Sequence, residues 1–472
     1  MYAFNAYLLY FIPKYYYKEM RVFFIILLLL SIASCSNDDN EKSEALFHFD
    51  EARWPAIQEE IKPFGEIREG LVSQDADTIR IVRNDTSIAV VVLSKPKVLA
   101  QAKEEELWGF FQFPKISKTD ENELLVSWSM KEDSHTTYGD DTCGMLVSKD
   151  EGNNWEIPNK TYYEKSKSGV YLPNEVFLQT YTPAPKDIKE YTIFPKPLNA
   201  DAISGYKFYL ENELPEELKG VYFDVYNKYN SQSSIIHASL YDPGLCRYTI
   251  NDLMPIVWWG DIKRQDDNSL ITGVYGTFYQ NPDGTIKNWG ISFYKSVDNG
   301  HHWSILGKIP FEINGKDIFK GGEGFGEPTI EILKDKSFMC VMRTGSASPM
   351  YKSFSKDGMN WSEPEAFTPN GVRPSLFLLE NGVLCLTSGR PGLQVRFSID
   401  GNGAVWTEPI EMLPLSQKNG GYDIYGISCG YPDVLICSSS AFYLVYSDFK
   451  TINAVGNQRK AIMFRRIEII KK

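Results

Sequence analysis

One pattern recurs along this chain and limits its fold more than any other feature. The segment SVDNGHHW (296–303) carries a serine, an aspartate two positions on, a glycine two further, and a tryptophan three beyond that. The arrangement returns as SKDEGNNW (148–155), as SKDGMNW (355–361) with one residue fewer, and as SIDGNGAVW (398–406) with one more. Four near-copies in one chain point to a repeated structural unit. In a hairpin between outer strands, the Ser and Asp side chains bond to turn backbone groups. Gly supplies a backbone angle that other residues resist, and Trp lies over the hairpin and packs between neighbouring sheets. The motif is therefore read as a staple and not as chemistry.

The surroundings of the motif recur as well. EPTIEILKDKSFMCVMRTG and RPSLFLLENGVLCLTSGRPG each read as an apolar strand, a turn and a second apolar strand, followed by a third strand that ends in the motif. Short strands with turn signals every 8–12 residues indicate an all-β protein. Repeats of this size with four strands each are propeller blades. The expected fold is a six-bladed β-propeller with four-stranded antiparallel blades at about 108–165, 169–250, 255–312, 320–367, 371–412 and 422–470. The second of these is poorly patterned and lacks the motif. Residues 46–104, with TIRIVRN and SIAVVVLS, read as strands that close or flank the ring, so that 46–472 forms a single domain.

From Met20 the sequence runs MRVFFIILLLLSIASCSNDDNEKSE: a positive residue, an apolar stretch of signal length, small residues and Cys35. This is the layout of an export signal, which assigns 1–34 to a leader with Met20 as an alternative start. Cys35 after Ile-Ala-Ser resembles a bacterial lipobox, and the acidic 35–45 segment resembles the export tag of Bacteroidetes surface lipoproteins. The resemblance implies a lipid anchor at Cys35 and an outer-membrane location, on the cell surface or the periplasmic face. The net charge of −12 argues against nucleic acid as a partner. No Cys or His spacing suggests a metal, and no cofactor is expected. Cys340 and Cys385 lie in apolar strand-like runs, and the pairing of the remaining cysteines is left open.

The four motifs resemble the Asp boxes of the sialidase-like propellers. That resemblance implies an exo-acting glycoside hydrolase that removes a terminal sugar, sialic acid or another, acidic ones included. It also implies which residues act. Glu327 in GEPTIEIL and Arg343 in CVMRTG match a Glu that begins an inner strand and an Arg that ends the next. Tyr431 in CGYPDVLI stands where these enzymes carry a tyrosine nucleophile, an exception to paired-carboxylate chemistry. A neighbouring carboxylate acting as base makes a phenol usable as a nucleophile.

The loop DSHTTYGDDTCGMLVSKD resembles the one bearing the acid/base aspartate, with Asp140 and Asp141 as candidates and Asp133 with His135 as the fallback. Sialidases bind a carboxylate with three arginines, whose planar forks match it. Arg343 and Arg390 match two of them, while Gln112 in FQFPKI stands where the first is expected. Arg373 in GVRPSLFL is additional, either a charge at the mouth or a partner for an acid between blades. Trp258, Trp259 and Asp261 in VWWGDIKR read as a sugar-contacting wall or as core. The implied partner is a glycan, with the membrane reached through Cys35. Two other readings stay open: a glycan-binding lipoprotein without chemistry, and a polysaccharide lyase on the same scaffold.

Overall fold

The computed structural model describes residues 47–48 and 76–471, apart from 86, 199–204, 259, 287–288, 319–323, 347, 415–416, 419–420 and 424. Its architecture is all-β, with six blades around one axis. Blade one holds Phe110–Lys118, Leu124–Met130 and Cys143–Ser148, its outer edge completed by the bridge between Val147 and Glu156. Blade two holds Val170–Leu172, Val176–Tyr181, Val221–Asn227 and Gln232–Tyr241, and blade three Ile262–Arg264, Leu270–Val274, Ile291–Ser296 and His302–Ile309. Blades four and five are regular four-stranded meanders, Gly326–Ile332 through Glu365–Thr368 and Val372–Leu378 through Ile410–Leu413.

Blade six is completed by the other end of the chain. Asp433–Ser438, Ala441–Ile452 and Gln458–Lys471 run in sequence, and Ile88–Ser94 then pairs antiparallel with the last of them, Val90 opposite Ile470. Lys97–Gln101 continues along the same strand. Arg465 Nε donates to the carbonyl of Ser94 at 2.7 Å, so the seam carries a charged hydrogen bond beside its ladder. Such closure leaves few unpaired strand edges.

Each sequence motif forms one compact turn. In the copy at 296–303, Ser296 Oγ donates to Asp298 Oδ1 at 2.8 Å and accepts from Gly300 N at 3.0 Å. Trp303 Nε1 donates back to the carbonyl of Gly300 at 3.0 Å. The tryptophans then reach the preceding blade. Trp155 packs on Phe464, Trp303 on Phe223, Trp361 on Phe293 and Trp406 on Phe367. Glycine is required twice over in these turns. At Gly300 φ is +88°, and a Cβ there would lie 2.7 Å from Leu178 of blade two; at Gly403, with φ +72°, it would lie 2.3 Å from Met339 Sδ of blade four. The aspartates stay at the rim, and main-chain N–H groups of Asn360 and Met359 hold the Asp357 carboxyl well below the usual range.

Two features depart from the expected layout. Segments inserted in and after blade two, with Phe278–Tyr279 of blade three, build a separate five-stranded sheet from Lys186–Asp187, Tyr206–Leu210, Leu245–Ile250, Leu253–Met254 and Phe278–Tyr279. Residues 245–250 thus belong to that sheet and not to the second blade. In addition, the outer strands of blades two and three pair in parallel, Leu240 opposite Trp303, which joins both blades into one eight-stranded sheet.

Trp303 is 1% exposed, so Trp303→Ala empties a site between two blades. It is expected to cost about 3–5 kcal/mol, read as a lowered urea midpoint. A midpoint unchanged from wild type would show that the box does not join the blades.

Candidate functional site

The mouth of the ring is built by one local device used in four blades. Phe113-Pro114, Glu327-Pro328, Arg373-Pro374 and Tyr431-Pro432 each stand at the start of an innermost strand. The proline has no N–H for the ladder, and the ladder slips there: register shifts fall between Gln112 and Lys115, Gly326 and Thr329, and Val372 and Ser375. Phe113, Glu327 and Arg373 take φ of +51°, +46° and +45°. A left-handed non-glycine residue costs on the order of 1–3 kcal/mol and persists where the surroundings over-determine it. The bend brings all four of these side chains to the wall of one cavity of about 320 Å³ at the axis.

Hydrogen bonds between blades hold this wall in register. Asp433 Oδ2 accepts from Ile116 N at 3.0 Å, tying blade six to blade one. Thr329 Oγ1 accepts from Leu376 N at 3.1 Å and donates to Asp261 Oδ2 at 2.6 Å, linking blades three, four and five. Asp261 is thereby a hub residue and does not line the cavity.

Inside, the Tyr431 hydroxyl donates to Glu327 Oε1. Arg343 Nη1 donates to the same oxygen at 2.7 Å and to the phenol oxygen at 3.3 Å. Glu327 Oε2 accepts from the main-chain N of Arg373 at 2.8 Å. With 4% exposure, the carboxylate is buried and bonded through both oxygens. Glu327 and Arg343, on paired strands of blade four, meet the distant Tyr431 of blade six within hydrogen-bond reach. A carboxylate placed this way can take the phenol proton, and the guanidinium can steady the charge exchanged between the two.

Of the aspartates in the loop after the second strand of blade one, the one facing the cavity is Asp133, half-buried, and not Asp140 or Asp141. Burial raises the Asp133 carboxyl above its usual range and the charge of Glu327 adds to this, while the Trp108 indole and Arg390 oppose it. Trp108 Nε1 donates to Asp133 Oδ2 at 2.9 Å. Asp140 and Asp141 are exposed. Asp140 caps its own turn by accepting from Thr142 N at 2.9 Å and Thr142 Oγ1 at 2.7 Å. His135 starts a short 3-10 turn, lines no part of the cavity, and has its imidazole pushed below the usual range by burial. Only depth distinguishes the three acids of this loop.

The expected substrate contacts divide. Arg343 and Arg373 line the cavity. The Arg373 guanidinium loses solvation there, and Asp261, Glu327, Tyr275 and Asp433 together more than offset that loss. It is therefore at the mouth and between carboxylates at once. Gln112 is fully buried behind the wall, its amide beside Gly109 N and Lys460 Nζ, the latter at 2.9 Å. Arg390 is 1% exposed and also lies behind the wall. Trp259 and Cys35 lie outside the described residues. Trp258 is core, packed on Phe223, Tyr294 and Trp303.

Two lysines join the cavity that no motif singled out. Lys115 lies 2.7 Å from Glu164 Oε1, and Lys167 lies 3.2 Å from Asp433 Oδ1. Burial pushes the Lys167 ammonium below its usual range. Lys115 is two residues past Phe113, so the Phe-Pro-Lys order was a usable signal; Lys167 had none. The six cysteines from Cys143 to Cys437 are all unpaired among the described residues.

No family model matches the chain and no curated protein resembles it. Solved structures do. A protein of unknown function from Dyadobacter fermentans aligns over 79% of this chain and 99% of its own, with 14% identity and a TM-score of 0.50. A Hadza microbial sialidase aligns over 84% of this chain and 74% of its own, with 14% identity and a TM-score of 0.46. A Trypanosoma rangeli sialidase, solved with the inhibitor DANA, aligns over 78% and 58%, with 13% identity and a TM-score of 0.41. At this identity the Dyadobacter likeness is one of fold: the chain is a six-bladed all-β propeller with a cavity on its axis lined by aromatic and charged side chains.

Proposed function

We propose that this propeller is an exo-acting glycoside hydrolase with Tyr431 as nucleophile. The reading rests chiefly on the meeting of Tyr431, Glu327 and Arg343 in a cavity that also presents a carboxyl raised by burial. Glu327 takes the phenol proton as Tyr431 Oη bonds to the anomeric carbon. The bond from that carbon to the leaving oxygen breaks, and Asp133 supplies the proton the leaving oxygen needs. Water then attacks the same carbon, gives a proton to Asp133, and releases the sugar as Tyr431 recovers its own. A tyrosine nucleophile keeps this outside the paired-carboxylate geometries.

Recognition of the sugar falls to Arg373, Arg343, Lys115 and Lys167, since Gln112 and Arg390 are withdrawn behind the wall. The lining sets these four cations against three carboxyls, Asp133, Glu327 and Asp433, and this excess of cations suits a terminal sugar with an anionic substituent. We further propose, from the leader and Cys35 alone, that the protein is a lipid-anchored outer-membrane enzyme acting on external glycans.

Four outcomes follow from this reading. Against a mixed glycan panel, the purified protein is expected to release a free monosaccharide. Binding without product would support the glycan-binding reading instead, and an unsaturated ultraviolet-absorbing product would indicate a lyase. Glu327→Gln and Tyr431→Phe are each expected to lower kcat by about 10²–10⁴-fold, with full activity in both refuting the assignment.

Asp133 must be protonated to act, so kcat/KM should fall as pH rises through its raised titration. In Asp133→Asn that limb should vanish, with kcat/KM and the first-turnover burst retained on an aryl glycoside whose leaving group needs no proton, while kcat falls because no base takes the proton of the attacking water. Finally, Cys35→Ala should abolish metabolic labelling by fatty acid; labelling that persists would exclude the anchor.

A further inference from the structure

Arg390 does not occupy the place that its match to a substrate-binding arginine implies. Its guanidinium is buried behind Tyr431, 5.3 Å from the centre of that ring, and also faces Trp108 at 5.5 Å and Tyr425 at 5.0 Å. Nε donates to the carbonyl of Cys429 at 3.0 Å, and Nη1 to Ser346 Oγ at 3.3 Å. The cation is thus fixed by main chain, hydroxyl and three aromatic faces, and the cavity wall lies between it and any sugar.

We propose that Arg390 is a positioning residue for the nucleophile and not an anchor for substrate, an inference resting on the assignment of Tyr431 above. A guanidinium within about 6 Å of a ring centre is attracted to the ring face. The attraction grows when the phenol loses its proton, because the negative charge spreads into the ring. Arg343 meets that charge at the oxygen, and Arg390 meets it from behind. Phe113 stands edge-on to Tyr431 at 5.1 Å and 89°, so ring rotation is blocked from another side.

The same block reaches the acid. Trp108, which covers Arg390, donates its indole N–H to Asp133. Trp108 also meets Phe113, Tyr425 and Phe449 edge-on. Acid and nucleophile, on blades one and six, therefore hang from one cationic and aromatic unit that touches no substrate.

The test separates kcat from KM on the substrate found in the glycan panel. Arg390→Met is expected to lower kcat by about 10²-fold, as small misplacements of reacting groups do, with KM within about twofold of wild type. Arg390→Lys should recover part of that loss, and the acid limb of kcat, where Glu327 must accept the phenol proton, should shift in Arg390→Met. A KM raised tenfold or more with kcat retained would overturn the proposal and restore a substrate-binding role.

Circular dichroism shows whether the Met variant folds. Should it not, Arg390→Lys carries the same comparison, because an ammonium cannot reach both oxygens and all three rings. Full activity in Tyr431→Phe would instead remove the assignment on which the proposal rests, a result distinguishable from any change at Arg390.

Discussion

Contact between one blade's box and the next blade's core is the interaction on which this molecule depends. A propeller blade is a small sheet with too little buried surface to stand alone, and its stability comes from its neighbours. Here a tryptophan and a glycine at each box are shaped to the preceding blade: the indole covers an aromatic ring, and the missing Cβ leaves room for a side chain that could not otherwise approach. The aspartate and serine only hold the turn so that both surfaces face the right way. Blade two has no box to set against blade one, while its junction with blade three carries both the blade-three box and the parallel strand pairing beside Trp303.

The axis is governed by the opposite principle. Where the boxes lower the energy of the ring, the mouth holds strained backbone at Phe113, Glu327 and Arg373. Each strained residue precedes a proline that cannot bond to the neighbouring strand, and each carries a side chain that the cavity uses. The rigid wall of inter-blade hydrogen bonds through Asp433, Thr329 and Glu327 is what maintains that strain. Packing in the outer shell thus supports a costly but fixed geometry at the centre.

The fold class was legible because its signal is repeated. Four boxes, beginning at Ser148, Ser296, Ser355 and Ser398, survive local ambiguity, and the six-bladed all-β ring follows from them together with the strand patterns around them. The additional five-stranded sheet was not legible: its strands run from two to six residues, too short for a periodic pattern, and its partners come from three distant segments. Glu327, Arg343 and Tyr431 could be named because each sits beside a strand boundary that a motif marks. Asp133, Asp140 and Asp141 lie within nine residues of one another, and only the fold distinguishes the half-buried one from its exposed neighbours. Gln112 and Arg390 sit next to register slips or tight turns, where spacing along the chain no longer says which side of the wall a side chain takes.

The seam between Ile88–Ser94 and Gln458–Lys471 has a temporal meaning. Blade six cannot be assembled until Gln458–Lys471 has been synthesised, and Tyr431 belongs to that blade while Asp133 belongs to the first. A nascent chain, however far its middle blades have matured, has no cavity. The axial cavity is therefore complete only once that strand is in place, and a copy without it holds the phenol of Tyr431 and the carboxyl of Asp133 on parts that have yet to be joined.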